Sequence, residues 1–305
     1  MLGGVKPCNI QLPESLGLSG SFLREGKLYD TMQKMYRIFI LPVLVTCFTH
    51  IHAQELSLDQ ASDPVSMVTR ITIDLESYSF ENGSMFYGIR PGYYYGLRNE
   101  KHLVGMSIPF MHNVFDGNYA GFENTTGFGD LKMSYLFVPY HKQNVIGIER
   151  ATFSFDVTAP TGEYLLGRGA GAWLYKPGVI IKWRIAESVV FYPEMRFQFS
   201  GGDANSGAGS DGAPDAEDPE KDDEIQNLSK SFPAVVNIDS WNGWFSLNAL
   251  YTRSFTEKTD FLFLRMDIGK VIGRKSCTSL RITKFIAGQP RLDLVLQANF
   301  TFFMR

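Results

Sequence analysis

Eleven charged residues stand at alternate positions in segments of this chain that otherwise read as oily, and they are the residues with the most chemistry to offer. They are Asp130, Lys132, Asp156, Lys182, Arg184, Glu194, Arg196, Arg265, Asp267, Arg281 and Asp293. In an extended chain every second side chain shares a face, so these charges belong to polar rows that stand opposite rows of Phe, Val, Ile and Leu. If their shared face is the inside of a closed barrel, two chemistries are open. Opposite charges across the bore can lock into an ion-pair network that seals it, whereas segregated charges would set the selectivity of a pore. Six bases against five acids favour the network and are too evenly matched to predict anion selectivity.

Other groups offer less. Gly201 to Phe232 is rich in Gly, Ser, Asp and Glu, with nine acids and one base between Asp203 and Glu224. That composition cannot bury enough apolar surface to offset the entropy of ordering, which predicts a mobile outer loop. Asp211, Asp215, Glu217, Asp218, Asp222 and Asp223 could take calcium or bridge to lipopolysaccharide through divalent ions, but EF-hand spacing is absent and a solvated loop is the simpler reading. Gly167-Arg-Gly-Ala-Gly171 has the outline of a phosphate loop without its following helix or its Lys-Ser/Thr pair. His102, His112 and His141 lie on different hairpins with no ligand spacing. Ser107 or Ser134 beside His112 would be the route to a hydrolase, and no motif supports it. No catalytic, cofactor or metal site is expected.

The elements that position these residues begin after a targeting segment. Lys34 and Arg37 precede an apolar stretch from Ile38 to Phe48, and Ile51-His52-Ala53 ends in a small residue, which predicts a signal peptide over 32–53 with cleavage before Gln54. The apolar stretch is short for a membrane span, which needs about 20 residues, so a retained signal anchor is the lesser reading. Thr46 is a poor residue ahead of an acylated Cys47. Residues 1–31 then stand in front of a signal that should be N-terminal. They are read as a start placed too early, with translation beginning at Met32 or Met35; a cleaved or disordered leader is the alternative. Residues 54–66 are read as a linker. Past the signal only Cys277 remains, so no disulfide framework can form. A net charge of −3 does not suggest nucleic acid.

Twelve candidate strands follow, at residues 68–80, 84–97, 101–113, 127–140, 145–159, 172–186, 188–200, 233–241, 244–255, 259–272, 276–287 and 291–305. Each is long enough for a tilted strand to cross a bilayer, which takes about 9–11 residues. The even-numbered connections are all short, and the long ones, 114–126, 160–171 and 201–232, are all odd-numbered. In an up-and-down barrel alternate connections share one end, and outer-membrane barrels gather short turns at one end and long loops at the other. Asn242-Gly243 between Trp241 and Trp244 predicts a type I′ turn. Along the strands Ala151, Phe153, Phe155 and Val157 oppose Thr152, Ser154 and Asp156. Phe191, Pro193, Met195, Phe197 and Phe199 oppose Tyr192, Glu194, Arg196 and Gln198. Leu292, Leu294, Leu296, Ala298, Phe300 and Phe302 oppose Asp293, Val295, Gln297, Asn299 and Thr301. Tyr93, Tyr94, Tyr140, Trp173, Trp241 and Trp244 near strand ends are candidates for interfacial girdles, with ordinary packing an equal alternative. The fold predicted is all-β, a closed antiparallel up-and-down transmembrane β-barrel of about twelve strands in the bacterial outer membrane.

Several ordered motifs resemble the outer-membrane family named for the MetA pathway of phenol degradation, whose members are often labelled simply as transporters. They are Thr126-Gly-Phe-Gly-Asp-Leu131, Ala159-Pro-Thr-Gly162, Lys176-Pro-Gly-Val179, Tyr192-Pro193 with Arg196 beyond, and Leu264-Arg-Met-Asp-Ile-Gly-Lys270. Together they span most of residues 68–305. The resemblance implies a small barrel that admits small molecules, hydrophobic or aromatic ones among them; the family name reflects gene context and does not pass on a phenol substrate. Barrels of this kind usually end on an aromatic residue, whereas here Phe303 is followed by Met304 and Arg305. Expected partners are outer-membrane lipid and lipopolysaccharide, the barrel-assembly machinery and a small-molecule solute, with no nucleic acid. The alternative is a structural or adhesive barrel with a plugged lumen, acting through its outer loops.

Overall fold

The structure is a computed structural model that describes residues 56–97, 100–115, 123–142, 146–201, 225–256, 258–288 and 292–304. Residues 1–31, the predicted signal peptide 32–53 and the acidic run 202–224 lie outside the described residues.

One short helix, α1 (Leu58–Ser62), precedes fifteen β-segments: β1 (Arg70–Phe80), β2 (Met85–Gly96), β3 (His102–Ser107), β4 (Phe110–Val114), β5 (Thr125–Phe128), β6 (Leu131–His141), β7 (Gly147–Ala159), β8 (Trp173–Ala186), β9 (Val189–Phe191), β10 (Glu194–Gly201), β11 (Ile225–Ile238), β12 (Gly243–Ser254), β13 (Thr259–Val271), β14 (Ser276–Gly288) and β15 (Leu292–Phe303). All pairings are antiparallel, and apart from the closing pair they join neighbours along the chain once segments of one broken strand are counted together. The sheet closes because β1 pairs with β2 on one side and with β15 on the other, in a register that sets Arg70 opposite Phe303. Closure removes the open edges that a sheet of this length would otherwise present.

Three of the strands are broken in two. The breaks fall at Ile108-Pro109 between β3 and β4, at Gly129-Asp130 between β5 and β6, and at Tyr192-Pro193 between β9 and β10. Proline cannot donate to the ladder, so the chain kinks at Pro109 and Pro193, and the Gly129-Asp130 break lies opposite Pro109 on the neighbouring strand. The carbonyls stay in use: Gly129 donates to the Pro109 oxygen at 2.8 Å and Ile181 to that of Pro193 at 3.0 Å. Counted with each broken pair as one, the barrel has the twelve strands that the periodicity predicts.

Two expectations about connections are corrected. β11 starts at Ile225, so residues 225–232 belong to the sheet and not to the outer loop. Their polar composition reads as loop, but they bond on both sides, with Ser229 opposite Arg196 and Thr252. Asn242-Gly243 is not a type I′ turn. Asp239–Trp241 forms a 3-10 turn, Asn242 takes the left-handed conformation alone (φ 52°), and Gly243 begins β12.

The strand faces sort as barrel physics requires. Phe153 and Phe155 are 52% and 41% exposed on the outside, while Thr152, Ser154 and Asp156 between and beyond them are buried inside. The same outward band takes in Met106, Phe128, Ile185, Leu280 and Phe300. Soluble proteins rarely leave apolar patches beyond a few hundred Å² in water, so a band that runs round the sheet asks for hydrocarbon. Tyr93, Tyr140, Trp173 and Trp241 are exposed on this surface. Tyr94 and Trp244 are not, and leave the girdle candidates. Trp244 is buried within the barrel, and Tyr94 lies beneath the Arg70 guanidinium, 4.6 Å above its ring.

Candidate functional site in the barrel lumen

The lumen is built differently along its length. At the end that carries the short turns it is filled. Residues 56–69, whose first part reads as a linker in the sequence, lie inside the barrel. Leu56, Val65, Met67 and Val68 join Leu103, Val138, Ile180, Val190, Tyr192, Val235 and Trp244 in one buried apolar cluster. The inward rows, read as polar from the sequence, turn apolar where the N-terminal segment gives them an apolar partner. Burying each such side chain is worth about 1.5–3 kcal/mol. Ser57 caps α1 by accepting from the Gln60 N–H at 3.2 Å. Leu56 donates to the Arg274 carbonyl at 2.8 Å, and Met304 to that of Thr69 at 2.8 Å, so both ends of the plug are tied to the rim.

Beside this core lies a cluster of three acids and three bases. Arg150 meets Asp63 at 2.9 Å. Lys182 reaches Asp59 at 2.8 Å, Glu149 at 3.2 Å and Asp63 at 3.5 Å. Arg184 reaches Glu149 at 2.8 Å and Asp59 at 2.9 Å. Burial alone would push the Asp63 carboxyl up; Arg150 and Lys182 outweigh it and hold the group below its ordinary range. Such a network adds little net stability over an apolar replacement, but stranding one buried partner costs about 3–5 kcal/mol. It therefore fixes where the plug sits.

The predicted lumen residues separate by position. Lys182 and Arg184 clamp the plug. Lys132 and Arg196 both hold Asp156, at 2.9 and 2.6 Å, and Arg196 also pairs with Glu194. Arg281 binds Asp267 at 2.8 Å and reaches the Gln297 amide oxygen at 3.4 Å, while Arg265 donates to the Thr283 hydroxyl at 3.3 Å. Two expectations fail. Asp130 lies in the β5–β6 break, where alternation no longer carries, and its carboxylate accepts from the Gly162 and Ala170 amides of the long loop at 2.8 and 2.7 Å. Asp293 is the extra residue of a bulge, because Ser79 faces Leu294 while Phe80 faces Leu292. A bulge exchanges the faces beyond it. Asp293 thus pairs with exposed Lys284, and Leu292, expected outside, lines the lumen.

Reading faces alone misses Asp59, Asp63, Glu76, Arg90, Glu149, Arg150 and Lys176. Glu76 and Arg90 form a lumen pair at 3.0 Å. Glu149 and Arg150 are adjacent yet both buried, because the β7–β8 register slips between Ile148 and Arg150. Two neighbouring charges in an oily strand are the signal that could have shown this bulge. The hydrolase route does not assemble. Ser134 pairs with Gly105 and Asp156 in the inward register, while His112 pairs with outward Tyr87 and hydrogen-bonds Thr126 at 2.7 Å. The loop with Gly167–Gly171 is a brace: the Gly167 carbonyl accepts from Asn113 at 2.8 Å, and Arg168 donates to the Thr126 carbonyl at 2.9 Å.

Among the described residues the lumen holds adjoining cavities of about 190 and 360 Å³ around the plug and about 600 Å³ nearer the long-loop end. The fold is that of an outer-membrane barrel. An outer-membrane channel from Pseudomonas putida F1 superposes with a TM-score of 0.61 over 84% of this chain and 100% of that one, at 12% identity. The KdgM porin (TM-score 0.48, 7% identity, 77% of this chain, 99% of that one) and the CymD monoaromatic hydrocarbon channel (0.42, 8%, 78% and 89%) match more loosely. At these identities the likeness is one of fold. No family model matches the chain, so none supports the phenol-pathway resemblance, and no curated protein matches it either.

Proposed function

We propose that this chain is an outer-membrane channel that admits small solutes through a lumen closed at its short-turn end by residues 56–69. The observation that carries this is the inverted barrel itself, apolar outside and charged inside, with cavities left between the plug and the long-loop end. The barrel shared with the Pseudomonas putida channel supports it at the level of fold. Insertion by the assembly machinery, contact with lipopolysaccharide and passage of hydrophobic or aromatic solutes belong to the same proposal.

Conduction requires the plug to move, which breaks the pairs that Asp59 and Asp63 make with the wall and leaves the wall's own pairs intact. Planar-bilayer recordings test this directly. Wild-type protein should show small, infrequent openings, and a variant lacking residues 56–66 should conduct steadily. A truncated barrel that inserts and carries no current would instead support the second reading, a structural or adhesive barrel, which the sealed short-turn end favours.

A further inference from the structure

The cavity of about 600 Å³ has charge that the barrel does not neutralise. Six bases line it (Arg90, Lys132, Lys176, Arg196, Arg265 and Arg281) against the acids Glu76, Asp156 and Glu194. Those acids are already engaged: Glu76 by Arg90, Asp156 by Lys132 and Arg196, Glu194 by Arg196. Arg281 turns to Asp267. Lys176 stands opposite Asp156 in the β7–β8 register, yet among the described residues it makes no ion pair, because two other bases hold that carboxylate. Arg265 has the Thr283 hydroxyl and no carboxylate within ion-pair reach among the described residues.

The same cavity has an apolar side. Tyr78, Leu250, Phe263, Leu292 and Val295 line it. Phe285 stands edge-on to Phe263 with ring centroids 5.6 Å apart. Along the lumen face of β13 the order toward the long-loop end is Asp267, Arg265, Phe263; along β14 it is Arg281, Thr283, Phe285. A cation followed by an aromatic ring at the next inward position suits a ligand with a charged head and an oily body. Unpaired cations beside apolar walls are costly, and an anion that brings its own apolar group relieves both. The volume falls within the roughly 300–1,000 Å³ of small-molecule sites.

We propose that this cavity binds a small amphipathic organic anion, with its head at Arg265 in the field of Lys176 and its body against Phe263, Leu250 and Val295. This rests on the solute-channel reading and names the class of solute. The experiment is calorimetric titration of the full chain in a non-ionic detergent with benzoate, its neutral counterpart benzyl alcohol, and sulfate as an anion without an apolar body. Benzoate should bind about tenfold tighter than benzyl alcohol, which lacks the charge-assisted contact, and about tenfold tighter than sulfate, which buries no apolar body. Arg265→Gln and Lys176→Gln should each weaken benzoate about tenfold, and Phe263→Ala should weaken it while leaving sulfate unchanged. Lys284→Gln at the rim should change nothing. Benzyl alcohol binding as tightly as benzoate, or sulfate matching it, overturns the proposal on wild-type protein alone, whatever the variants do. Benzoate binding without any current would keep the site and sink the channel; current without benzoate preference would do the reverse.

Discussion

Replacing Asp63 with alanine should loosen the plug and leave the barrel intact. Asp63 is buried against Arg150 at 2.9 Å and Lys182 at 3.5 Å, and Arg150 has no other carboxylate in ion-pair reach among the described residues. Removing the carboxylate strands a buried guanidinium, at about 3–5 kcal/mol. If that penalty falls on docking, the undocked fraction rises roughly a hundred- to several thousand-fold. Docking should still persist, because Leu56, Val65, Met67 and Val68 contribute about 1.5–3 kcal/mol each. The chain carries its own reporter. Cys277 is buried, free, and lines the same cavity as Asp63. Its modification by a small methanethiosulfonate should be slow in wild type and much faster in Asp63→Ala. Adding Arg150→Met to that variant should slow it again, since the stranded charge is gone. An unchanged rate in Asp63→Ala, or an equal rise in Asp293→Ala at the exposed rim, would refute the reasoning.

Acid should open the plug only late. The folded-state pKa of Asp63 lies below its unfolded value, so its stabilisation is complete above about pH 4 and fades as pH falls through the depressed value. Conductance should therefore stay flat on acidification from neutrality to about pH 4 and rise below it; a rise near the histidine range would contradict this. Leu296→Arg, on the outward face near the middle of β15, should cost about 2–4 kcal/mol and lower the folded fraction read by heat-modified gel migration. Gln297→Arg, inside the lumen beside Glu76, should be tolerated, and equal behaviour of the two would reverse the assignment of faces. Gly96→Ala should loosen the plug as well, because a Cβ there would sit 2.1 Å from the Met67 carbonyl oxygen. That overpacking costs about 1–3 kcal/mol and should speed Cys277 modification.

Much of the barrel can be read from the chain because a strand's period of two is local. Phe153 and Asp156 take opposite faces whatever surrounds them, and repeated short connections between such segments set the order and the number of strands. The lumen charges on uninterrupted strands, such as Lys182, Arg196 and Arg281, follow from the same rule. Where the ladder breaks or bulges the rule stops, and Asp130, Asp293 and the pair Glu149–Arg150 show it. One extra residue exchanges every face beyond it, and the partner strand decides where that residue goes. Residues 56–69 have no period to betray them. Their place inside the barrel depends on a void that exists only after β1 has met β15, and on apolar and charged partners contributed by strands far away in sequence. Local backbone geometry thus determined the wall, and long-range closure decided what fills it and which cations are left without a partner.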